Sequence, residues 1–222
     1  MPFQDRKDAG EQLARALQKF REDRPLVIAL PRGGVPVAAE IARALDAPLE
    51  LLIVRKIGVP WHAELAMGAV ADSIDPVVIR NEDVIAVENV SEAEFAAVKD
   101  RELAEIRRRR QRYVAERPFP QLAGRTVIVV DDGIATGATI RVAIRALRIG
   151  HPRRIVVAVP VASPDIVRTL QGEAEEVICL EQHEALGAIG LYYDDFGQVG
   201  DEEVLRALAT SPPAGPARGA GA

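Results

Sequence analysis

Short runs of apolar residues, rich in Val and Ile, recur along the chain at 26–30, 49–54, 126–130, 155–159 and 177–180. Runs of about five that are apolar on both faces suit strands covered on both sides, as in a parallel sheet. Between them lie segments whose apolar residues recur at helical spacing: Leu13, Ala16, Leu17 and Phe20 within 5–22, then 35–45, 138–147 and 165–170. The alternation predicts an α/β fold, a five-stranded parallel sheet flanked by helices.

Two segments break the rhythm. Residues 55–90 carry Pro60, Pro76 and short apolar pieces at 67–71, 76–79 and 84–87, which read as a loop followed by antiparallel strands, a flap beside the main sheet. Residues 91–117 read as a long charged helix, opened by a Ser91–Glu94 capping box and closed by Pro118. The run Arg107–Arg110 could contact RNA, but Glu102, Glu105 and Glu116 beside it favour a solvated helix face. The stretch 211–222 is Pro, Gly and Ala without amphipathic pattern, so a disordered tail is expected after a single domain over 1–210.

Composition narrows the function classes. The chain has 222 residues, a formal charge of −5 and 4% aromatics, so its core must be built from Val, Ile, Leu and Ala. An acidic balance argues against nucleic acid as a partner. The single Cys179 excludes an intramolecular disulfide and any multi-cysteine zinc site, and reads as an inert thiol within an apolar strand. No apolar run approaches membrane-spanning length and the start is polar, so neither a membrane partner nor a signal peptide is expected, and a cytoplasmic protein is. Only four lysines stand against 24 arginines, which draws attention to each lysine, Lys56 among them.

The strongest chemical signal is Val127-Ile128-Val129-Val130-Asp131-Asp132-Gly133-Ile134-Ala135-Thr136-Gly137-Ala138-Thr139. A buried strand runs into two carboxylates, then into a small-residue loop that opens a helix. Loop amides and the unsatisfied N–H groups of the first helical turn make an anion site, to which Thr136 and Thr139 can add hydroxyls. The lysine of nucleotide triphosphatase loops is absent. A phosphate beside two carboxylates is awkward unless the ligand also presents hydroxyls or a metal lies near; a sugar phosphate satisfies that. The plainer alternative is a helix start capped by Asp.

This string resembles the phosphoribosyl-diphosphate (PRPP) signature of the type I phosphoribosyltransferases. Leu30-Pro31-Arg32-Gly33-Gly34 resembles the family's pyrophosphate loop, and Val54-Arg55-Lys56, before a Gly- and Pro-containing stretch to Gly68, resembles the start of its mobile catalytic loop. The elements Val54-Arg55-Lys56-Ile57-Gly58 and Tyr193-Asp194-Asp195-Phe196 are similar to those of a bacterial branch of the family. Read alone, Pro31–Gly34 could be an ordinary turn and Lys56 a surface lysine. Glycines at 33 and 34 would let backbone approach a diphosphate closely, and Arg32 could fork onto phosphate oxygens. The resemblance also implies a cis Pro31–Arg32 peptide.

The implied reaction is Mg²⁺-dependent transfer of a 5-phosphoribosyl group from PRPP to a nitrogenous base or related acceptor, with release of pyrophosphate. On that resemblance Ala135, Thr136, Gly137, Ala138 and Thr139 hold the 5-phosphate, and Asp131 and Asp132 hold ribose hydroxyls near the developing positive charge. Arg32, Gly33, Gly34 and Lys56 meet the pyrophosphate. Magnesium would ride on PRPP oxygens with help from Asp131 and Asp132 rather than in a protein cage. The acceptor would lie under a hood at about 181–200, where Tyr192, Tyr193 and Phe196 cluster, and under the 57–67 loop with Trp61 and His62; these aromatics could equally be packing. Many purine-recycling members carry Thr-Thr-Gly-x-Thr where this chain has Ala135-Thr136-Gly137-Ala138-Thr139, one hydroxyl fewer. No segment selects among adenine, guanine, xanthine, uracil and orotate. A PRPP-binding regulator with little transferase activity is the alternative. A homodimer would be the commonest oligomer.

Overall fold

Five parallel strands in the order β2-β1-β6-β7-β8 carry the larger part of the molecule. They are β1 (Leu26–Ala29), β2 (Leu49–Leu51), β6 (Thr126–Val130), β7 (Arg154–Ala162) and β8 (Glu176–Gln182). The intervening chain forms three strands of a second sheet, β3 (Val54–Val59), β4 (His62–Ala71) and β5 (Val77–Arg80), paired antiparallel in the order β3-β4-β5. The computed structural model describes residues 2–72, 76–114 and 119–212. The chain divides into two compact units, Met1–Leu51 with Pro120–Ala222, and Leu52–Phe119.

In the first unit β1 and β6 are buried at every position and β7 at all but Arg154, as their unbroken apolar runs require. The helices are α1 (Arg6–Ala16), α2 (Gly34–Leu45), α5 (Ala138–Ile149), α6 (Pro164–Gln171) and α7 (Asp201–Thr210). Helix α5 turns Ile140, Ala143, Ile144 and Leu147 inward, the one-sided stripe its periodicity predicts. Helix α7, unassigned in the sequence, buries Val204 and Leu208, two residues one turn apart. The predicted tail falls almost wholly outside the described residues.

The second unit holds the antiparallel sheet with α3 (Glu82–Val87) and α4 (Glu92–Val114). The expected strand over 49–54 is split: β2 ends at Leu51 and Val54 opens β3. Its neighbour β1 stops at Ala29, so the ladder has no partner beyond Leu51, and the Ile53 carbonyl instead accepts the Asp72 amide at 2.8 Å. The expected loop from residue 55 is a hairpin whose turn is Pro60–Trp61, with Val59 opposite His62. Gly58 permits it, since a Cβ there would stand 2.3 Å from the Ala63 carbonyl oxygen. Residues 84–87 are helical rather than extended, because Asn81 caps the Val84 amide and Glu82 and Asp83 occupy the first turn.

Helix α4 opens on the expected capping box, the Ser91 amide donating to Glu94 Oε2 at 2.9 Å and the Glu94 amide to Ser91 Oγ at 3.3 Å. Its arginines are paired locally. Arg108 and Arg109 bind Glu105 at 2.8 and 2.7 Å and hold its carboxyl down to about 2, while Arg110 meets Asp72 at 2.8 Å. The anticipated stop at Pro118 lies outside the described residues. Among the described residues no helix is long and apolar enough to cross a membrane.

Candidate active site

Strands β1 and β6 are neighbours in register, Ala29 beside Val130, so their carboxyl ends open on the same edge of the sheet. Ligands collect at that edge in open α/β sheets. The chain leaves β1 through Leu30-Pro31-Arg32-Gly33 into α2, and leaves β6 through Asp131–Gly137 into α5. The Leu30 amide donates to the Val130 carbonyl at 2.9 Å, which locks the two loops side by side. The Pro31–Arg32 peptide is cis.

The starts of α2 and α5 differ from every other described α-helix start. Helices α1, α3 and α6 have side-chain caps from Asp5, Asn81 and Ser163, α4 has its capping box, and α7 places Asp201, Glu202 and Glu203 in its first turn. Helices α2 and α5 have no side-chain cap and no acidic residue in the first turn. At α2 the Gly34 and Val35 amides already donate to the Leu30 and Arg32 carbonyls at 3.1 Å and Pro36 has no N–H, so the start suited to an anion is that of α5. At α5, Gly137 adopts φ +76°, a left-handed conformation natural to glycine, and Ala135, Thr136, Ala138 and Thr139 are exposed around it. The Ile134 amide donates to the Val161 carbonyl at 2.9 Å and ties this loop to β7.

The glycines of the other loop have a reason internal to the protein. A Cβ on Gly33 would lie 2.1 Å from Asp132 Oδ2, and one on Gly34 would lie 2.6 Å from the Val130 carbonyl oxygen. The loop is thus pressed against the two aspartates. Arg32 extends to Asp201 at the start of α7, with Nη1 3.6 Å from Oδ1, and keeps about a third of its side chain exposed.

Asp131 and Asp132 are not equivalent. Asp131 is half-buried beside a second carboxylate, and desolvation first, then the Asp132 charge, push its pKa well above the ordinary carboxylate range. Its Oδ1 accepts the Asp132 amide at 2.9 Å. Asp132 is held from outside the loop: Arg6 Nε donates to Oδ2 at 2.7 Å, and the Tyr193 hydroxyl donates to the Asp132 carbonyl at 2.6 Å. Burial, and then the charge of Asp132, raise the Tyr193 pKa far enough that it remains a donor.

The hood aromatics are brought together as expected, around Arg6. Tyr193 is buried with its ring 5.5 Å from Phe3 and 4.9 Å from Phe196, and the Arg6 guanidinium lies 3.7 Å from the Phe196 ring centre. Tyr193 therefore packs and positions, with little open ring face. Tyr192 is half-buried, its ring 4.5 Å from that of His183. Residues 3 and 4 run along this segment, the Phe3 amide donating to Tyr192 and the amides of Asp194 and Asp195 donating to Phe3 and Gln4. The sequence did not single out Arg6. Its signal was a cation at the first position of a helix, next to cap Asp5, where acidic residues are favoured.

Lys56 and Trp61 belong to the second unit. Lys56 lies within β3 rather than at the end of a parallel strand, and its Nζ donates to the carbonyl and Oε2 of Glu64 at 3.1 and 3.0 Å. Arg55 instead binds the buried Glu102, its Nη2 2.7 Å from Oε2. Trp61 is 56% exposed and its indole N–H donates to Glu88 at 3.0 Å. Among the described residues no three His, Cys, Asp or Glu side chains form a metal cage. The aspartate pair, with one oxygen already on Arg6, suits a magnesium ion carried mainly by phosphate oxygens and water.

A model of the phosphoribosyl transferase domain matches residues 4–194. The chain belongs to the phosphoribosyl transferase domain family. Within that family it is 43% identical over 206 residues to "Putative phosphoribosyl transferase Rv0571c" of Mycobacterium tuberculosis H37Rv, and equally to its counterpart from strain CDC 1551. The match covers 93% of the chain but 46% of those proteins, so the chain spans about half the length of the curated relatives it matches. The crystal structure of TT1426 from Thermus thermophilus superposes with a TM-score of 0.79 at 41% identity, covering 94% of this chain and 98% of that one.

Proposed function

We propose that this chain transfers a 5-phosphoribosyl group from PRPP to a nitrogen acceptor and releases pyrophosphate, as a cytoplasmic enzyme of nucleotide metabolism. The observation that carries the reading is the uncapped, acid-free start of α5 directly after Asp131 and Asp132. A phosphorylated sugar, with its hydroxyls on the carboxylates and its phosphate on the α5 start, matches that juxtaposition, and family resemblance assigns the pyrophosphate to the loop before α2.

In this reading the amides of Ala135, Gly137 and Ala138, with the backbone and hydroxyls of Thr136 and Thr139, take the 5-phosphate. Asp131 and Asp132 accept ribose hydroxyls and lie near the positive charge that grows on the anomeric carbon as its bond to pyrophosphate stretches. The acceptor nitrogen attacks that carbon while the pyrophosphate oxygen leaves with the bonding electron pair. Family resemblance assigns Arg32, Gly33 and Gly34 to the departing pyrophosphate, for which Arg32 must exchange Asp201, and the Gly34 amide the Leu30 carbonyl, for the ligand. Lys56 is assigned to pyrophosphate by family resemblance. Bound magnesium would neutralise diphosphate charge. Positioning and charge stabilisation supply the rate.

For the acceptor, Tyr192 is half-buried, and Tyr193 and Phe196 shape the hood that would contain it; Trp61 is assigned to the acceptor by family resemblance. Calorimetry with PRPP and Mg²⁺, followed by pyrophosphate release across a panel of bases, tests the reading. No binding at millimolar PRPP defeats it. Binding without turnover on any base would instead indicate a PRPP-binding regulator.

A further inference from the structure

Arg6 is placed where a helix disfavours it. It is the first residue of α1, at the positive end of the dipole, and a cation there weakens the helix. Its side chain is nonetheless only 11% exposed. Nε donates to Asp132 Oδ2 at 2.7 Å, Nη1 donates to the Gly197 carbonyl at 2.8 Å, and the guanidinium lies 3.7 Å from the Phe196 ring centre. One residue thus joins the N-terminal helix, the hood and the second carboxylate of the PRPP-like signature. A staple between chain ends would not need that carboxylate, because Phe3 already pairs with the hood through backbone hydrogen bonds and ring packing.

We propose that Arg6 is a positioning residue for sugar binding: by holding Oδ2 of Asp132 it fixes the carboxylate so that Oδ1 receives a ribose hydroxyl. This rests on the reading of the site as a phosphoribosyl site, but it concerns the sugar rather than the diphosphate. Gly33 supplies the opposing wall, since it stands where any side chain would collide with the same carboxylate. Asp132 Oδ2 is therefore held by the arginine in a space that only a glycine at 33 leaves open.

The test compares ribose 5-phosphate, which carries hydroxyls and phosphate, with inorganic phosphate, which carries phosphate alone. Both are titrated calorimetrically into wild type, R6M, R6K, D132N, the double variant R6M/D132N and F3A. The proposal expects R6M to lose about tenfold in ribose 5-phosphate affinity, the scale of one charge-assisted contact, with inorganic phosphate unchanged. R6K should lose less, and R6M should add nothing once Asp132 is Asn. F3A, which loosens the same segment without touching Asp132, should retain sugar selectivity. Equal losses for both ligands, additive losses in the double variant, or the same selective loss in F3A would overturn it. If R6M does not fold, R6K decides: unchanged ribose 5-phosphate affinity overturns the proposal. Wild type that binds ribose 5-phosphate but not PRPP would defeat the transferase reading while the Arg6 comparison stands; wild type that binds neither defeats both.

Discussion

Gly33 faces Asp132 so closely that a Cβ would stand 2.1 Å from Oδ2, although its backbone, at φ −58°, would accept any residue. The demand for glycine is steric and comes from a carboxylate that Arg6 keeps from swinging away. Gly34 differs, because its Cβ would meet the Val130 carbonyl oxygen at 2.6 Å. A side-chain end can shift; a strand carbonyl within the β1–β6 pairing cannot.

The two substitutions should therefore separate. Gly34→Ala is expected to lose about 1–3 kcal/mol of stability, typical of overpacking, seen as a lower midpoint in urea. Gly33→Ala should lose less stability and more PRPP affinity, because it displaces Asp132. Equal stability losses with unchanged affinity in Gly33→Ala would refute the distinction.

Asp131 gives a pH dependence with a definite sign. Its folded pKa is raised above the unfolded value, so the protonated form is favoured by folding, and that stabilisation is fully present below the ordinary carboxylate range and lost as pH rises through the raised pKa. Asp131→Asn cannot ionise. It should melt higher than wild type at pH 8, with the difference shrinking towards pH 4, by about 2–4 °C for each kcal/mol recovered in a chain of this size. Thermal denaturation across that range checks it; a difference that grows on acidification would reverse the assignment.

Tyr193→Phe removes the hydrogen bond to the Asp132 carbonyl while keeping the ring between Phe3 and Phe196. A loss of about 1 kcal/mol in stability is expected, together with weaker PRPP binding if the hydroxyl positions Asp132. Denaturant titration and calorimetry separate these effects.

Burial pushes the Cys179 thiol up to about 11. The thiolate fraction at pH 7.5 is then about a hundredfold below that of an unshifted thiol. Iodoacetamide should alkylate the folded protein slowly and the urea-unfolded protein at an ordinary rate. Rapid labelling of the native chain would contradict this.

The parts of the fold readable from sequence are those whose pattern is local. Strands β1, β6 and β7 are buried on both faces, so no polar residue interrupts them, and the Asp131–Thr139 string marks where one opens onto a helix. Strand β3 was not legible, because Arg55, Lys56 and Gly58 dilute its pattern and its pairing with β4 is set by a two-residue turn and a close backbone approach at Gly58. Residues 84–87 read as a strand because four apolar positions outweighed the cap at Asn81. Arg6 was invisible for another reason: its partner Asp132 is 126 positions away, and no local pattern links them.

The clamp on Asp132 also has an order in time. During synthesis Arg6 emerges long before the carboxylate it holds, and Tyr193 and Gly197, which complete the grip, emerge more than sixty residues after it. When Asp131 and Asp132 emerge, Arg6 is already available, but Tyr193 and Gly197 are not. The grip on Asp132 is thus completed last, when the two distant ends of the sequence meet, so a chain shortened before Tyr193 would hold Asp132 without the hydroxyl and carbonyl that complete the clamp.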